Sequence, residues 1–442
     1  MTIERKLLGT SPSGGATDVA EVFSTHVYTG GNFTHTINNG IDLAGEGGLI
    51  WTKSRSTTYS HHLTDTERGL GYWFKSDTNA SQSYGGNAGI TAFNSNGYDL
   101  GLYVDEVNSD VARDYVSWTF RKKKKFFDVV TYSGNGANRT IAHSLGGPVG
   151  FMAVKRLSST GALTTFHTSL GGTKFMEMHS TYQQQSSINV WNNTAPTDAV
   201  FSLGVDSAVN GSGHTYVAYL FADNSAEDAE DQMIKCGSYT TSSSGDSGDV
   251  DLGWEPQFVL FKNAGGSDNW IILDSMRGFH VAGVTDAYIY PNTSAAEGNA
   301  NFGHLTSTGF RIINQGNSVP YIYMAIRAPM MKEPEAATDV FAIDTRGSSA
   351  ATADGVVWHS GFPVDLAIQK NVTGVSSPAA YDRFRGSYSL FTDTTAAESN
   401  QGGHKFDSMN GFDVRTLSAA TNQPAWMWKR AKGFFDVVAY TG

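Results

Sequence analysis

The chain has 442 residues, a formal net charge of −11 and a pI near 5.5, with 49 glycines, 12% aromatic and only 17% charged residues. An acidic chain has no general attraction for nucleic acid or anionic membranes, so neither is an expected partner. One cysteine, Cys236, excludes an intrachain disulfide, and no apolar run is long enough to span a bilayer.

The start, Met1-Thr2-Ile3-Glu4-Arg5-Lys6, lacks the apolar stretch of a signal peptide. A soluble protein made in a cytosol is expected, one that leaves the cell only by another route, such as within a virus particle. Residues 1–24, rich in Gly and Ser around Gly9-Thr10-Ser11-Pro12-Ser13-Gly14-Gly15, read as an extended arm or attachment segment.

Four copies of one unit follow. A lysine closes an apolar stretch at Leu49-Ile50-Trp51-Thr52-Lys53, Phe151-Met152-Ala153-Val154-Lys155, Phe258-Val259-Leu260-Phe261-Lys262 and Leu366-Ala367-Ile368-Gln369-Lys370, in steps of 102, 107 and 108 residues. Twelve residues beyond each lysine stand Asp65, His167, Asp274 and Asp382. Three copies continue as D-x-x-R-G through Arg68-Gly69, Arg277-Gly278 and Arg385-Gly386, and the second has Leu170-Gly171 instead. Self-similarity at a fixed period fixes the architecture before any single motif is weighed. The expected boundaries are 25–125, 126–232, 233–336 and 337–433.

A further echo marks the ends of copies. Phe126-Phe127-Asp128-Val129-Val130 returns as Phe434-Phe435-Asp436-Val437-Val438, just ahead of Tyr440-Thr441-Gly442. Residues 434–442 therefore read as the first strand of another unit, with more copies expected beyond it; alternatively that strand completes a neighbouring sandwich.

Within a unit the pattern is strand-like. Val129-Val130-Thr131-Tyr132 and Arg139-Thr140-Ile141 flank the turn Gly134-Asn135-Gly136. The closing strand recurs as Tyr115-Val116-Ser117-Trp118-Thr119-Phe120, Tyr216-Val217-Ala218-Tyr219-Leu220-Phe221, Tyr321-Ile322-Tyr323-Met324-Ala325-Ile326 and Trp426-Met427-Trp428. Its β-branched and aromatic content argues strand over helix core. The expected fold is all-β: a tandem array of jelly-roll or concanavalin-like β-sandwich units of about 100 residues each. The connectors are short, so the units should pack on one another or form a stiff rod. The basic connector Lys122–Lys125 and the acidic one at 223–231 are expected to pair, for instance between neighbouring subunits.

Few constellations suggest chemistry. The D-x-x-R-G residues Asp65 and Arg68, Asp274 and Arg277, and Asp382 and Arg385 could hydrogen-bond a sugar at a loop mouth. The preferred reading is that they staple a turn, with the glycine supplying a positive φ. Trp73, Trp191, Trp270 and Trp358 lie outside the closing strand and are candidates for stacking on sugars, or for the core. Gly245-Asp246-Ser247-Gly248-Asp249 looks like a protease nucleophile loop but falls where copy two has its hairpin turn, without His or Asp partners. No paired carboxylates mark a glycosidase, the histidines lack metal-ligand spacing, and no cofactor is implied. Calcium in Asp/Asn turns such as Asp105-Glu106 or Asp206 is compatible with the sequence but not required by it. Cys236, in a strand-like stretch, reads as a buried inert thiol.

Phe126-Phe127-Asp128-Val129-Val130, with Tyr132-Ser133-Gly134-Asn135-Gly136, His143-Ser144-Leu145-Gly146 and Val154-Lys155-Arg156, resembles a repeat in virion-surface proteins of phages that infect marine bacteria. Asp251-Leu252-Gly253-Trp254-Glu255-Pro256 and the opening Leu7-Leu8-Gly9-Thr10 are similar to the same repeat. The resemblance covers nearly the whole chain and supplies no catalytic residues. It implies a non-enzymatic virion structural protein, a tail fibre or appendage subunit presenting β-sandwich modules for host attachment. A capsid-surface decoration protein or spike is the alternative, and a polysaccharide depolymerase a weaker one. The implied location is the tail or capsid surface of a virion assembled in the host cytoplasm. The implied partners are other virion proteins through the arm, a host-surface glycan, and copies of the chain itself, with a homo-trimer as the family-level expectation.

Overall fold

A computed structural model describes residues 17–438, apart from 32, 87, 103, 110–111, 282–284, 347–357, 373, 401–403 and 415–422. Most of the expected arm and the last four residues lie outside this range. The fold is all-β, and every strand pairing described is antiparallel.

Four sheets share one strand order. In the first unit the opening strand Phe23–Gly30 pairs with the closing strand Arg113–Arg121, which pairs with the lysine strand Gly48–Ser54, which pairs with the aspartate strand His62–Asp65. The same order joins Phe127–Ser133, Thr215–Ala222, Val149–Arg156 and Leu163–His167 in the second unit. It recurs through Ile234–Thr240, Pro320–Arg327, Pro256–Asn263 and Ile271–Asp274 in the third. The fourth repeats it with Phe341–Arg346, Gln423–Trp428, Leu366–Gln369 and Ala379–Asp382. A smaller sheet covers one face of each, as His35–Asn38, Gly97–Leu100 and Ile90–Asn94 do in the first unit, making a sandwich with its own core.

The other face of the main sheet decides the architecture. An antiparallel sheet in a free-standing sandwich turns one face to water and alternates apolar with polar residues. The lysine strand Gly48–Ser54 is instead buried at every position, as is Thr215–Ala222 from its second residue onward. Their second faces meet. Trp51 and Phe120 of the first unit, Phe151 and Phe221 of the second, and Phe258 and Met324 of the third belong to one continuous apolar core. The gap left where the three faces converge is a cavity of about 10 Å³, lined by side chains of all three units. Burial at roughly 25 cal/mol per Å² makes this shared core the main source of cohesion between units.

Units one to three thus form a closed ring, and the fourth docks on its flank. Arg430 of unit four lies 3.1 Å from Glu255, Arg55 of unit one lies 2.6 Å from Asp407, and Val281 N–H donates to the Phe384 carbonyl at 2.9 Å. The basic and acidic connectors meet within the chain, where Lys125 contacts Glu227 at 2.9 Å, while Lys122 pairs with Glu67 of unit one at 2.6 Å.

The Phe-Phe-Asp-Val-Val echo has a geometric counterpart. Lys123 N–H donates to the Phe127 carbonyl and Ala431 N–H to the Phe435 carbonyl, both at 2.9 Å, so the same turn precedes both motifs. Lys125 and Gly433 take the left-handed position in it, at φ 60° and 73°. After the first turn a strand forms, because the closing strand Thr215–Ala222 pairs with it. After the second, residues 434–438 form no strand, and none of the described strands pairs with them; the rest of the expected strand, 439–442, lies outside the described residues.

Close backbone approach is required at Gly48, at the head of the first lysine strand. A Cβ there would collide with the Phe120 carbonyl oxygen and approach Leu43 to 2.9 Å. Gly48→Ala should therefore destabilise the protein by about 1–3 kcal/mol, read as a lower urea midpoint with an unchanged m-value.

Candidate functional site

The repeated polar residues lie in the seams between units. In each D-x-x-R-G turn the Arg N–H donates to Asp Oδ1 and the guanidinium Nε to Asp Oδ2. The N–H bonds are 2.9, 2.8 and 2.9 Å for Asp65–Arg68, Asp274–Arg277 and Asp382–Arg385. The Nε bonds are 2.5, 2.6 and 2.5 Å. Gly69, Gly278 and Gly386 follow at φ 83°, 105° and 60°, a conformation that a side chain would strain.

The same carboxylates then reach the next unit. Tyr219 Oη of unit two donates to Asp65 Oδ2 of unit one at 2.7 Å, and Trp118 Nε1 of unit one donates to Asp274 Oδ2 of unit three at 3.0 Å. The third seam inverts the polarity. The closing strand of unit three carries Met324 where the others carry Trp118 and Tyr219, as its pairing with Leu260, two residues before the unit's lysine, shows. Methionine donates nothing, so the seam offers the Tyr323 carbonyl, and His167 Nε2 donates to it at 3.0 Å. His167 Nδ1 in turn accepts from Ser169 N–H at 3.1 Å, which fixes the neutral tautomer. Loss of the Asp at position 167 removes the need for Arg, and Leu170 stands in its place. The departure of copy two from D-x-x-R-G is thus matched to what unit three presents.

The lysines complete the seams. Lys53, Lys155 and Lys262 are fully buried, and each ammonium donates to carbonyls of the turn that follows it: Ser54 at 2.7 Å, Gly161 at 2.6 Å and Asn263 at 2.8 Å. Lys155 and Lys262 also reach the preceding unit, at Thr78 O and Thr181 O. Burial pushes all three down to a pKa of about 8. At the seam from unit three to unit one, Arg55 holds Glu297 through two bonds of 2.8 Å, and Arg277 adds a third at 3.1 Å.

This geometry bears directly on the expected binding residues. Asp65, Arg68, Asp274 and Arg277 are enclosed between units and line no loop mouth, so the stapling role is the one their contacts describe. Asp382 is buried as well, and only its partner Arg385 is more open, with its side chain 18% exposed. Trp191, Trp270 and Trp358 are core residues at 0–1% exposure and cannot stack on a sugar. The expectation for these three is corrected: each fills space between sheets, and Trp270 Nε1 crosses a seam to the Glu177 carbonyl at 3.3 Å. Trp73 is half-buried, stacked on His62 at 5.1 Å.

Other candidates resolve into local structure. Asp246 pairs with Arg311, and Ser247 Oγ donates to the Gly248 carbonyl at 2.5 Å, so the serine of that loop is engaged in its own turn. Asp206 caps a one-turn helix through Ala208 N–H, and Glu106 pairs with Lys75 at 2.6 Å. Among the described residues no three His, Cys, Asp or Glu side chains cluster in a way that could hold a metal. Cys236 is buried in the shared core, and burial raises its thiol pKa well above the ordinary range.

The feature that sequence reasoning missed lies on unit four. Its main sheet alternates buried with half-exposed residues, where the ring units are buried on both faces. The half-exposed face carries Phe341, Leu366, Ile368, Trp426 and Trp428, with Ile343 58% exposed. The signal was present in the chain, since these are the counterparts of residues that line the ring core.

No curated protein matches this sequence. A family model described as Domain of unknown function (DUF7483) matches residues 18–329. That span runs from Asp18, whose side chain caps the turn before the first strand, to the end of unit three, and so coincides with the closed ring. As the match covers more than two thirds of its length, the chain belongs to the DUF7483 family.

Proposed function

We propose that the chain is a non-enzymatic structural subunit of a phage virion, in a tail fibre or similar appendage, that holds β-sandwich modules for contact with a host surface. The observation that carries this reading is the use made of the repeated polar residues. Asp65, Asp274, His167, Lys155 and Lys262 join one unit to the next, the arrangement of a rigid scaffold. The resemblance of the repeat to phage virion-surface proteins supplies the particle. Tail location and host attachment rest on that resemblance alone.

Labelling purified particles with antibody against residues 18–329 tests the reading by electron microscopy. Label on tail appendages is expected. Label on the capsid would move the protein to a decoration role, and unlabelled particles would sink the proposal. Release of new reducing ends from host polysaccharide would overturn the non-enzymatic part.

Where a sugar would bind is narrowed by exposure. Tyr84 is 66% exposed, with its ring centroid 4.6 Å from that of Tyr72, on a hairpin that also carries Trp73. This aromatic group offers a stacking surface. Tyr84→Ala should reduce glycan-array signal several-fold while leaving the melting temperature unchanged; equal binding by the variant would remove this hairpin as the contact.

A further inference from the structure

Each ring unit presents the same sheet face to its two neighbours. In unit one the face carries Phe120 and Trp118 from the closing strand, Leu49 and Trp51 from the lysine strand, and Asp65 at its edge. The register of unit four is the same. Trp428 pairs with Leu366 and Trp426 with Ile368, as Phe120 pairs with Leu49 and Trp118 with Trp51, while Asp382 pairs with Leu366 as Asp65 does with Leu49. The face is apolar and aromatic in every unit, and only in unit four is it half-exposed.

The polar groups of that face are complementary to one another. Asp65 and Asp274 each receive a side-chain donor from the closing strand of the following unit, in addition to their own arginine. Asp382 makes the bonds to Arg385, and no third donor reaches it among the described residues. Trp426 occupies the position of Trp118, the donor to Asp274, and its indole N–H has no acceptor among the described residues. One unit therefore carries both halves of the seam bond, an acceptor at one side of the face and a donor at the other. Donor and acceptor on one chain that cannot meet within it form a head-to-tail contact, and a head-to-tail contact with the rotation of this ring closes after three units.

The adjoining loop points the same way. Residues 392–398 are exposed, whereas in the ring the corresponding loops latch onto the next unit's lysine turn, as Gln82 N–H does on the Leu157 carbonyl and Gln184 N–H on the Ala264 carbonyl. Glu398 lies 3.5 Å from Arg385, as Glu297 lies 3.1 Å from Arg277, but half of the Glu398 side chain is open.

We infer that the exposed face of unit four is a homotypic interface: the fourth units of three copies of this chain close a second ring, with Trp426 of each donating to Asp382 of the next. The first ring is then a template within the chain for the assembly between chains. The inference holds independently of any virion role.

Sedimentation velocity and light scattering on the full chain at micromolar concentration test it. A species of three times the 47.5 kDa chain mass is expected. Ile368→Lys, which places a charge at the centre of a face that is open in the single chain, should give a monomer with an unchanged far-UV spectrum. Trp426→Phe keeps the ring area but removes the N–H, and should weaken assembly by roughly tenfold or more, since a bond to a buried carboxylate is lost at each seam. A wild-type monomer, a dimer, or a trimer that survives both substitutions would overturn the assignment. A wild-type monomer that binds soluble polysaccharide, with binding lost in Ile368→Lys, would overturn it too and give the face to carbohydrate.

Discussion

Asp65→Ala should lower the unfolding free energy by about 3–5 kcal/mol, the range for removing one partner of a buried ion pair. The Asp65 side chain is inaccessible and that of Arg68 only 3% exposed, so the substitution leaves a guanidinium enclosed between units one and two without its anion. It also leaves Tyr219 Oη without its acceptor, which adds an unsatisfied polar group in the shared core. The Asp382→Ala change should be milder, near 1 kcal/mol, because Arg385 reaches solvent and keeps Glu398. Chemical denaturation of the two variants side by side measures the difference. The double variant Asp65→Ala/Arg68→Met should recover most of the loss, since an apolar pair needs no counter-charge. A double variant as unstable as the single one would show that the pair contributes shape rather than charge balance.

Stability should fall steeply as the pH drops from about 6.5 towards 4. Burial holds His26, His167 and His280 down to a pKa of about 4 and His62 to about 3, with neighbouring positive charge adding to the effect at His62 and His280. In the unfolded chain these side chains take protons near pH 6.5. The unfolded state therefore binds more protons than the folded state throughout the window between those values, and protonation pulls the equilibrium towards unfolding. Above about pH 6.5 the contribution is complete; below it His26, His167 and His280 each lose about 3 kcal/mol by the time the folded pKa is reached, and His62 loses more. Urea midpoints measured at intervals from pH 7.5 to 4.5 check this. His167→Gln retains a donor for the Tyr323 carbonyl without a titrating group, so its pH slope should be shallower by one proton. An identical slope would place the acid sensitivity elsewhere.

Much of the fold was legible in the chain. The spacing of Lys53, Lys155, Lys262 and Lys370 marks four units, and the β-branched and aromatic closing strands mark the sheets, because strand periodicity and self-similarity are local properties. The apolar runs carry a further signal. Trp51 sits on the face of its strand opposite Ile50, which packs with Tyr98 of the smaller sheet, and a strand apolar on both faces must be covered twice. What covers the second face cannot be read from the strand itself.

The candidate site was legible only as a pattern. D-x-x-R-G is visible as a repeat, and its glycine and turn-stapling geometry follow from local chemistry. Whether the carboxylate faces water or another unit depends on groups about 150 residues away, Tyr219 for Asp65 and Trp118 for Asp274. The tryptophans divide for the same reason: Trp270 and Trp358 differ from Trp73 in what is packed over them, not in their neighbours along the chain.

By itself, then, the sequence determined an all-β chain of four like units and the turn that each Asp and Gly builds, since these rest on propensity, alternation and short-range hydrogen bonds. The tertiary structure decided that three units close into a ring, that His167 replaces Asp where the partner offers a carbonyl, and that unit four keeps an open face. Closure is a relation between surfaces. Each surface is encoded locally, but their meeting depends on how units about a hundred residues apart are turned towards one another.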